Sequence, residues 1–123
     1  NRLNMILAVI EKICGISLGT HDVYVNVEGG IKITEPASDL AVLMAIISSY
    51  KSKALNNDSV FIGEIALTGE VRGVVNLEKR IKEAAKLGYK TIYTTKYGLD
   101  KIAKIDGVKI IKVNNVRDLV IKE

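Results

Sequence analysis

Ser38 follows Pro36 and Ala37 where the sequence marks the start of a helix, and lysines at 79, 82 and 86 lie on a second predicted helix. A hydroxyl at a helix N-terminus beside a lysine whose proton is removed by burial is the apparatus of a Ser-Lys dyad. The apolar stripe Leu77–Ile81–Ala84/Ala85 puts Lys79, Lys82 and Lys86 at or beyond the edges of the buried face. A solvated lysine keeps its proton near neutral pH and is a poor base. Ser38 equally suits an ordinary helix start, bonding free backbone N–H groups while Asp39 meets the positive end of the helix dipole. The residues alone leave both roles open.

Other chemistries have less to stand on. The sequence has no G-x-x-x-x-G-K-[ST] loop and no G-x-G-x-x-G, so this stretch holds no nucleotide in either manner. His21, the single histidine, sits in a Gly-Thr-His-Asp turn and is expected in solvent. Glu64 and Glu70 flank a turn, but no third ligand at metal spacing accompanies them. Cys14 is the single cysteine, which excludes an internal disulfide and suits a reducing cytosol. It follows Ile10 and Ile13 on one helical face and is expected to behave as a small buried hydrophobe.

Leu3, Ile6, Leu7, Ile10 and Ile13 recur at helical spacing until Gly15. Val23, Val25 and Val27 alternate with polar residues as in a half-buried strand, which turns at Gly29-Gly30 into a short strand from Ile31 to Ile33. From Pro36 to about Tyr50 the chain is almost wholly apolar, so this helix should run through the middle of the fold. Residues 60–75 read as β structure with glycine turns. The clearest helix starts at Asn76, a candidate N-cap, and stops at Gly88; Glu78–Lys82 and Lys79–Glu83 are its i,i+4 pairs. A strand (89–95), a short helix (97–105), a strand (108–113) and a final helix follow. Alternation of helix and strand predicts parallel pairing through crossovers, so the fold class is α/β (α+β) with a mixed sheet packed by helices.

The length of 123 residues suits one domain spanning 1–123; 48% hydrophobic and 26% charged residues describe a globular chain. A net charge of +4 permits an anionic partner without requiring one. No apolar run reaches the roughly 18 residues of a membrane span. The chain opens at Asn1 inside a helical pattern, and is expected to be a piece of a longer protein.

The segments Asn26–Ile46 (NVEGGIKITEPASDLAVLMAI) and Gly63–Ile92 (GEIALTGEVRGVVNLEKRIKEAAKLGYKTI) resemble the proteolytic domain of Lon. More closely, they resemble the Lon-like C-terminal domain of RadA-type (Sms) bacterial DNA repair proteins, whose start is similar to residues 1–27. The resemblance implies the Lon protease-like fold, shared with the second domain of a ribosomal protein. In active Lon-type proteases the nucleophile follows the proline of G-P-S-A-G and the base follows G-G-L. The matching positions are Ala37 and Glu78, so the resemblance implies a protease fold without its dyad.

What the resemblance implies in place of proteolysis is a scaffold and DNA-contact domain of a RadA-type, ATP-dependent repair and recombination protein that drives branch migration. DNA, single-stranded or branched, and further copies of the chain in a hexameric ring are the implied partners, in the bacterial cytoplasm and without a membrane. This domain is expected to need no cofactor, with ATP, Mg and Zn held by the rest of the parent. Candidate phosphate contacts are Arg72, in the turn after Leu67-Thr-Gly-Glu-Val71, and Lys79, Arg80, Lys82 and Lys86. Lys101, Lys104, Lys109 and Lys112 form a second basic run whose mixed geometry is expected to scatter them. The competing expectations are an active peptidase using Ser38 with Lys79, and an oligomerisation domain of a different ATPase.

Overall fold

In a computed structural model of the protein, residues 2–19, 21–25 and 34–122 are described, residues 121 and 122 by backbone alone. The elements are α1 (Arg2–Lys12), α2 (Asp39–Lys51), β1 (Ser59–Ile62), β2 (Glu64–Ile65), β3 (Val71–Arg72), α3 (Leu77–Lys86), β4 (Thr91–Thr94), β5 (Lys109–Lys112) and α4 (Val116–Lys122). A single 3₁₀ turn, Pro36–Ser38, leads into α2, and another, Leu99–Lys101, stands where the sequence suggests a longer helix. The expected strand at 23–27 has no ladder over residues 21–25; its remainder, the Gly29-Gly30 turn and the strand 31–33 lie outside the described residues.

Strands β1, β4 and β5 form a parallel sheet in that order, with Val60 beside Ile92 and Phe61 beside Tyr93. Period-two alternation divides the strands between two cores. Val60, Ile62, Ile92 and Ile110 pack with Leu77, Ile81 and Ala84 of α3. Phe61 and Tyr93, stacked at 4.7 Å between ring centroids, face the larger core of α1, α2, Val113 and Val116. The α/β fold is thus a parallel sheet between α3 on one side and α1 and α2 on the other. Among the described residues the antiparallel component is a separate ladder, the β2–β3 hairpin, rather than a strand of the parallel sheet.

The hairpin covers the carboxyl ends of the parallel strands. Val71 N–H donates to the Asn114 carbonyl at 2.9 Å, and Val116 N–H to the Gly69 carbonyl at 2.9 Å. Gly63 makes this closure possible, because a Cβ there would lie 2.7 Å from Val71 Cγ1. The same residue receives the start of α2: Gly63 N–H donates to the Ala37 carbonyl at 2.9 Å, and Leu40 N–H to the Gly63 carbonyl at 3.0 Å.

Helix α2 is buried at Leu40, Val42, Leu43, Met44, Ile46 and Ile47, and opens to solvent along Ala45 and Ser49. Its central position follows from an apolar sequence that offers no wide polar face. Helix α1 stops before Gly15, which has φ +70° and supplies the left-handed residue of a helix end.

Candidate functional site

Three parts of the molecule bear on the expected chemistry: the start of α2, the solvent face of α3, and the β2–β3 hairpin. At the start of α2, Ala37 is buried and Ser38 lies at the N-cap position. The Ser38 hydroxyl does not cap the helix; it donates to the Glu35 carbonyl at 2.7 Å. The bond keeps the hydroxyl within its own turn, a local side-chain-to-backbone contact common for serine at such positions.

Asp39 lies in the first turn of α2, as expected, and does more than meet the helix dipole. It is 0% exposed, and its carboxylate accepts Arg2 Nε at 2.8 Å, Arg2 Nη2, and the Ile65 backbone N–H at 3.0 Å. The partners come from α1 and β2, so one carboxylate fastens three elements. Hydrogen bonding to Asp39 raises the Arg2 pKa above its ordinary value, while partial desolvation opposes it and Glu64 adds a smaller electrostatic contribution.

Helix α3 presents Ala84 and Leu77 inward and Glu78, Lys79, Lys82, Glu83 and Lys86 outward. Lys79, Lys82 and Lys86 share one side because steps of three and seven residues return near the same angle on a 3.6-residue helix. Glu78 pairs with Lys82 at 3.2 Å, as the spacing predicts, whereas Lys79–Glu83 is not among the ion pairs of the described residues. Asn76 stands at the N-cap position with φ 58°, and its side chain makes no cap bond. It serves the helix start through left-handed backbone, which asparagine tolerates better than most residues.

A groove of about 550 Å³ separates the α2 entry from α3, and Ala37, Ser38, Lys79 and Arg80 line it with Val60 and Ala84. Glu78 lies outside this groove, on the face it shares with Lys82 and Lys86. Position 78 thus does not line the groove that holds Ala37, whereas Lys79 and Arg80 do. Arg80 is not a free exposed cation. Its Nε donates to the Val75 carbonyl at 2.8 Å and its Nη2 to Glu35 Oε1 at 3.0 Å, closing a clamp between the α2 entry and α3.

Arg72 lies on β3 rather than in a turn, exposed and directly across from Glu64. It forms no ion pair among the described residues. Glu64 and Glu70 do not converge: Glu64 Oε2 lies 3.6 Å from Arg2 Nη2, and Glu70 bridges to Asn115. Cys14 is partly buried, and burial pushes its thiol pKa up despite the opposing charge of Lys51, so it is a weak nucleophile. His21 is exposed and meets Tyr50 edge-on at 5.4 Å. Lys109 and Lys112 bracket β5 three residues apart and so project from opposite sides of the sheet.

The fold and its surfaces define a small α/β domain with a lysine-bearing helix on one side of a parallel sheet and no helix, among the described residues, long and apolar enough to cross a membrane. Residues 2–97 match the family model ChlI, described as subunit ChlI of Mg-chelatase, and the chain belongs to that family. It is also similar to "DNA repair protein RadA" of Streptococcus pyogenes serotype M3, with 47% identity over 94% of this chain. The corresponding RadA proteins of Streptococcus pneumoniae and Bacillus subtilis are 45% identical over 99% and 96% of the chain. The chain spans 26–29% of the length of these relatives. The RadA relationship follows the sequence resemblance; the ChlI family was not anticipated from any motif.

Proposed function

We propose that the chain is a proteolytically inactive, Lon-like scaffold and DNA-contact domain of a RadA-type DNA repair protein. The observation that carries this reading is similarity to RadA proteins along nearly the whole chain, 45–47% identical over 94–99% of it. The parent supplies ATP-driven branch migration, with ATP, Mg and Zn bound outside this stretch, and works as a hexameric ring in the bacterial cytoplasm. Mg-chelatase activity is not carried over from the family's description, because the relatives that match along the chain are named as repair proteins.

Contact with DNA falls to the α3 stripe. Lys79 and Lys86 are seven residues apart, about 10 Å along the helix axis, a span that suits successive phosphates of one strand. Three such contacts give a log–log salt dependence of about −2 on single-stranded DNA. Arg72 adds a contact from the hairpin. The inactive reading is supported at both candidate nucleophiles: Ala37 has no hydroxyl, and Ser38 donates its own to the Glu35 carbonyl.

Fluorescence anisotropy of a labelled single-stranded oligonucleotide, titrated across salt, tests the reading. Wild-type chain should bind with that slope, and Lys79→Glu/Lys82→Glu/Lys86→Glu should remove most of it. Binding that is independent of salt and unchanged by the triple substitution and by Arg72→Glu would favour a purely oligomeric role. The presence of Lys79 in the groove with Ser38 keeps one peptidase test worthwhile: labelling of Ser38 by a serine-directed fluorophosphonate, lost in Ser38→Ala, would overturn the inactive assignment.

A further inference from the structure

Four charges alternate in sign from the surface of the hairpin into the core. Arg72 is exposed on β3; Glu64 is its cross-strand partner; Arg2 lies 3.6 Å beyond Glu64; and Arg2 in turn holds the buried Asp39. The other pair of this short ladder, Ile65 and Val71, points into the core at 2% and 1% exposure, which fixes Glu64 and Arg72 together on the outer face. Side chains directly opposite on an antiparallel pair have Cβ atoms about 5 Å apart. Glu64 therefore stands between Arg2, 3.6 Å from its carboxylate and committed inward to Asp39, and the cross-strand Arg72, which forms no ion pair among the described residues.

We propose that Glu64 is a built-in competitor for anions at Arg72, its charge directly across the strand pair offsetting the attraction of the guanidinium for a phosphate, and so sets how tightly the hairpin engages a nucleic-acid backbone. This rests on the DNA-contact reading above. A carboxylate and a phosphate oxygen are recognised by the same N–H donors. With Glu64 in place the outer face of the hairpin carries a neutral pair, and a phosphate gains only what Arg72 offers after its neighbour's field is subtracted. Arg2 holds the Glu64 carboxylate on this face at 3.6 Å and is itself anchored by Asp39 through two nitrogens. The placement also explains why Arg72 and Glu64 do not close into an ion pair: the carboxylate lies against Arg2 instead.

The test uses isosteric Glu64→Gln, which removes the charge and keeps the shape. The residue is about one-third exposed and Asp39 continues to hold Arg2, so the fold is retained; a thermal melt confirms it. Binding of a labelled polythymidine oligonucleotide at low salt is measured for wild type, Glu64→Gln, Arg72→Gln and the double variant. Glu64→Gln should tighten binding about two- to five-fold, the range of an exposed cross-strand charge pair. It should also steepen the salt slope by up to about 0.7. The gain should vanish in the double variant. Wild-type binding that Arg72→Gln weakens and Glu64→Gln leaves unchanged overturns the inference and spares the DNA reading. The same holds for an equal gain with and without Arg72. Absence of binding from wild type and Glu64→Gln alike overturns both.

Discussion

Removing the Asp39 carboxylate should be among the most damaging single changes available to this domain. Asp39→Ala deletes three hydrogen bonds that join α1, α2 and β2, two from Arg2 and one from the Ile65 N–H at 3.0 Å. The two ends of the interaction lose unequally. Arg2 has 29% of its side chain in solvent and can turn to water, so its loss is small. Ile65 is 2% exposed, and its N–H is left buried without an acceptor, at about 1–3 kcal/mol. With the lost charge-assisted bonds and a small cavity, the total is about 3 kcal/mol. For a domain this size that lowers Tm by roughly 12 °C. Asp39→Asn retains an acceptor for Ile65 and should lose about half as much. Urea denaturation followed by far-UV circular dichroism measures both. A loss below about 1 kcal/mol for Asp39→Ala would refute the view that this buried pair fastens the three elements.

Gly63→Ala should destabilise by about 1–3 kcal/mol, because the new methyl would lie 2.7 Å from the buried Val71 side chain; a denaturation midpoint equal to wild type would contradict the tight closure of the hairpin. Arg80→Ala should lower stability by about 1 kcal/mol through loss of the Val75 and Glu35 bonds and leave DNA affinity almost unchanged, whereas Lys79→Ala should do the opposite; the two are compared by melting and anisotropy. The Cys14 thiol pKa lies above its ordinary value of 9.0 in the fold, so the folded chain holds this proton more tightly than the unfolded one. Its stabilising effect is complete below that ordinary value and is lost as pH rises through the folded pKa; Cys14→Ser should flatten the alkaline fall in Tm, and native thiol should alkylate more slowly than unfolded. Ala37→Ser/Glu78→Lys should remain unlabelled by a serine-directed fluorophosphonate, since position 78 faces away from the groove that holds Ala37.

Elements whose signal is local were legible from sequence. Helix α3 announces itself by Leu77, Ile81 and Ala84, and α2 by an apolar run with no polar side. What sequence reasoning missed depends on contacts distant along the chain. Asp39 looks like a first-turn carboxylate until Arg2, 37 residues earlier, and the Ile65 amide are brought to it. Arg72 was read as a turn residue because a two-residue ladder is too short to show a period. The orientation of Glu78 follows from a local signal. Position 78 follows buried Leu77 by about 100° of helix, and its partner Lys82 follows buried Ile81 by the same step. The helical phase that identifies the core also turns both away from it. Matching motif positions to a family does not replace that phase argument.

The same phase reasoning separates the two basic runs, which composition alone treats alike. Lys109 and Lys112 sit on one strand, yet a three-residue step sends them to opposite sides of the sheet, next to Thr91 and Thr94 of β4. Their fields do not add over any one surface, and a lysine near each end of β5 instead discourages strand pairing with another chain. Lys79, Lys82 and Lys86 lie within about 60° of one another around α3, so their fields do add, although Glu78 and Glu83 subtract part of the sum. A net charge of +4 spread evenly would steer no ligand. Helix α3 sets Lys79, Arg80, Lys82 and Lys86 against Glu78 and Glu83, a net +2 on one helix, whereas on the hairpin Arg72 stands across from Glu64, so the positive field is stronger over α3 than over the outer face of the hairpin.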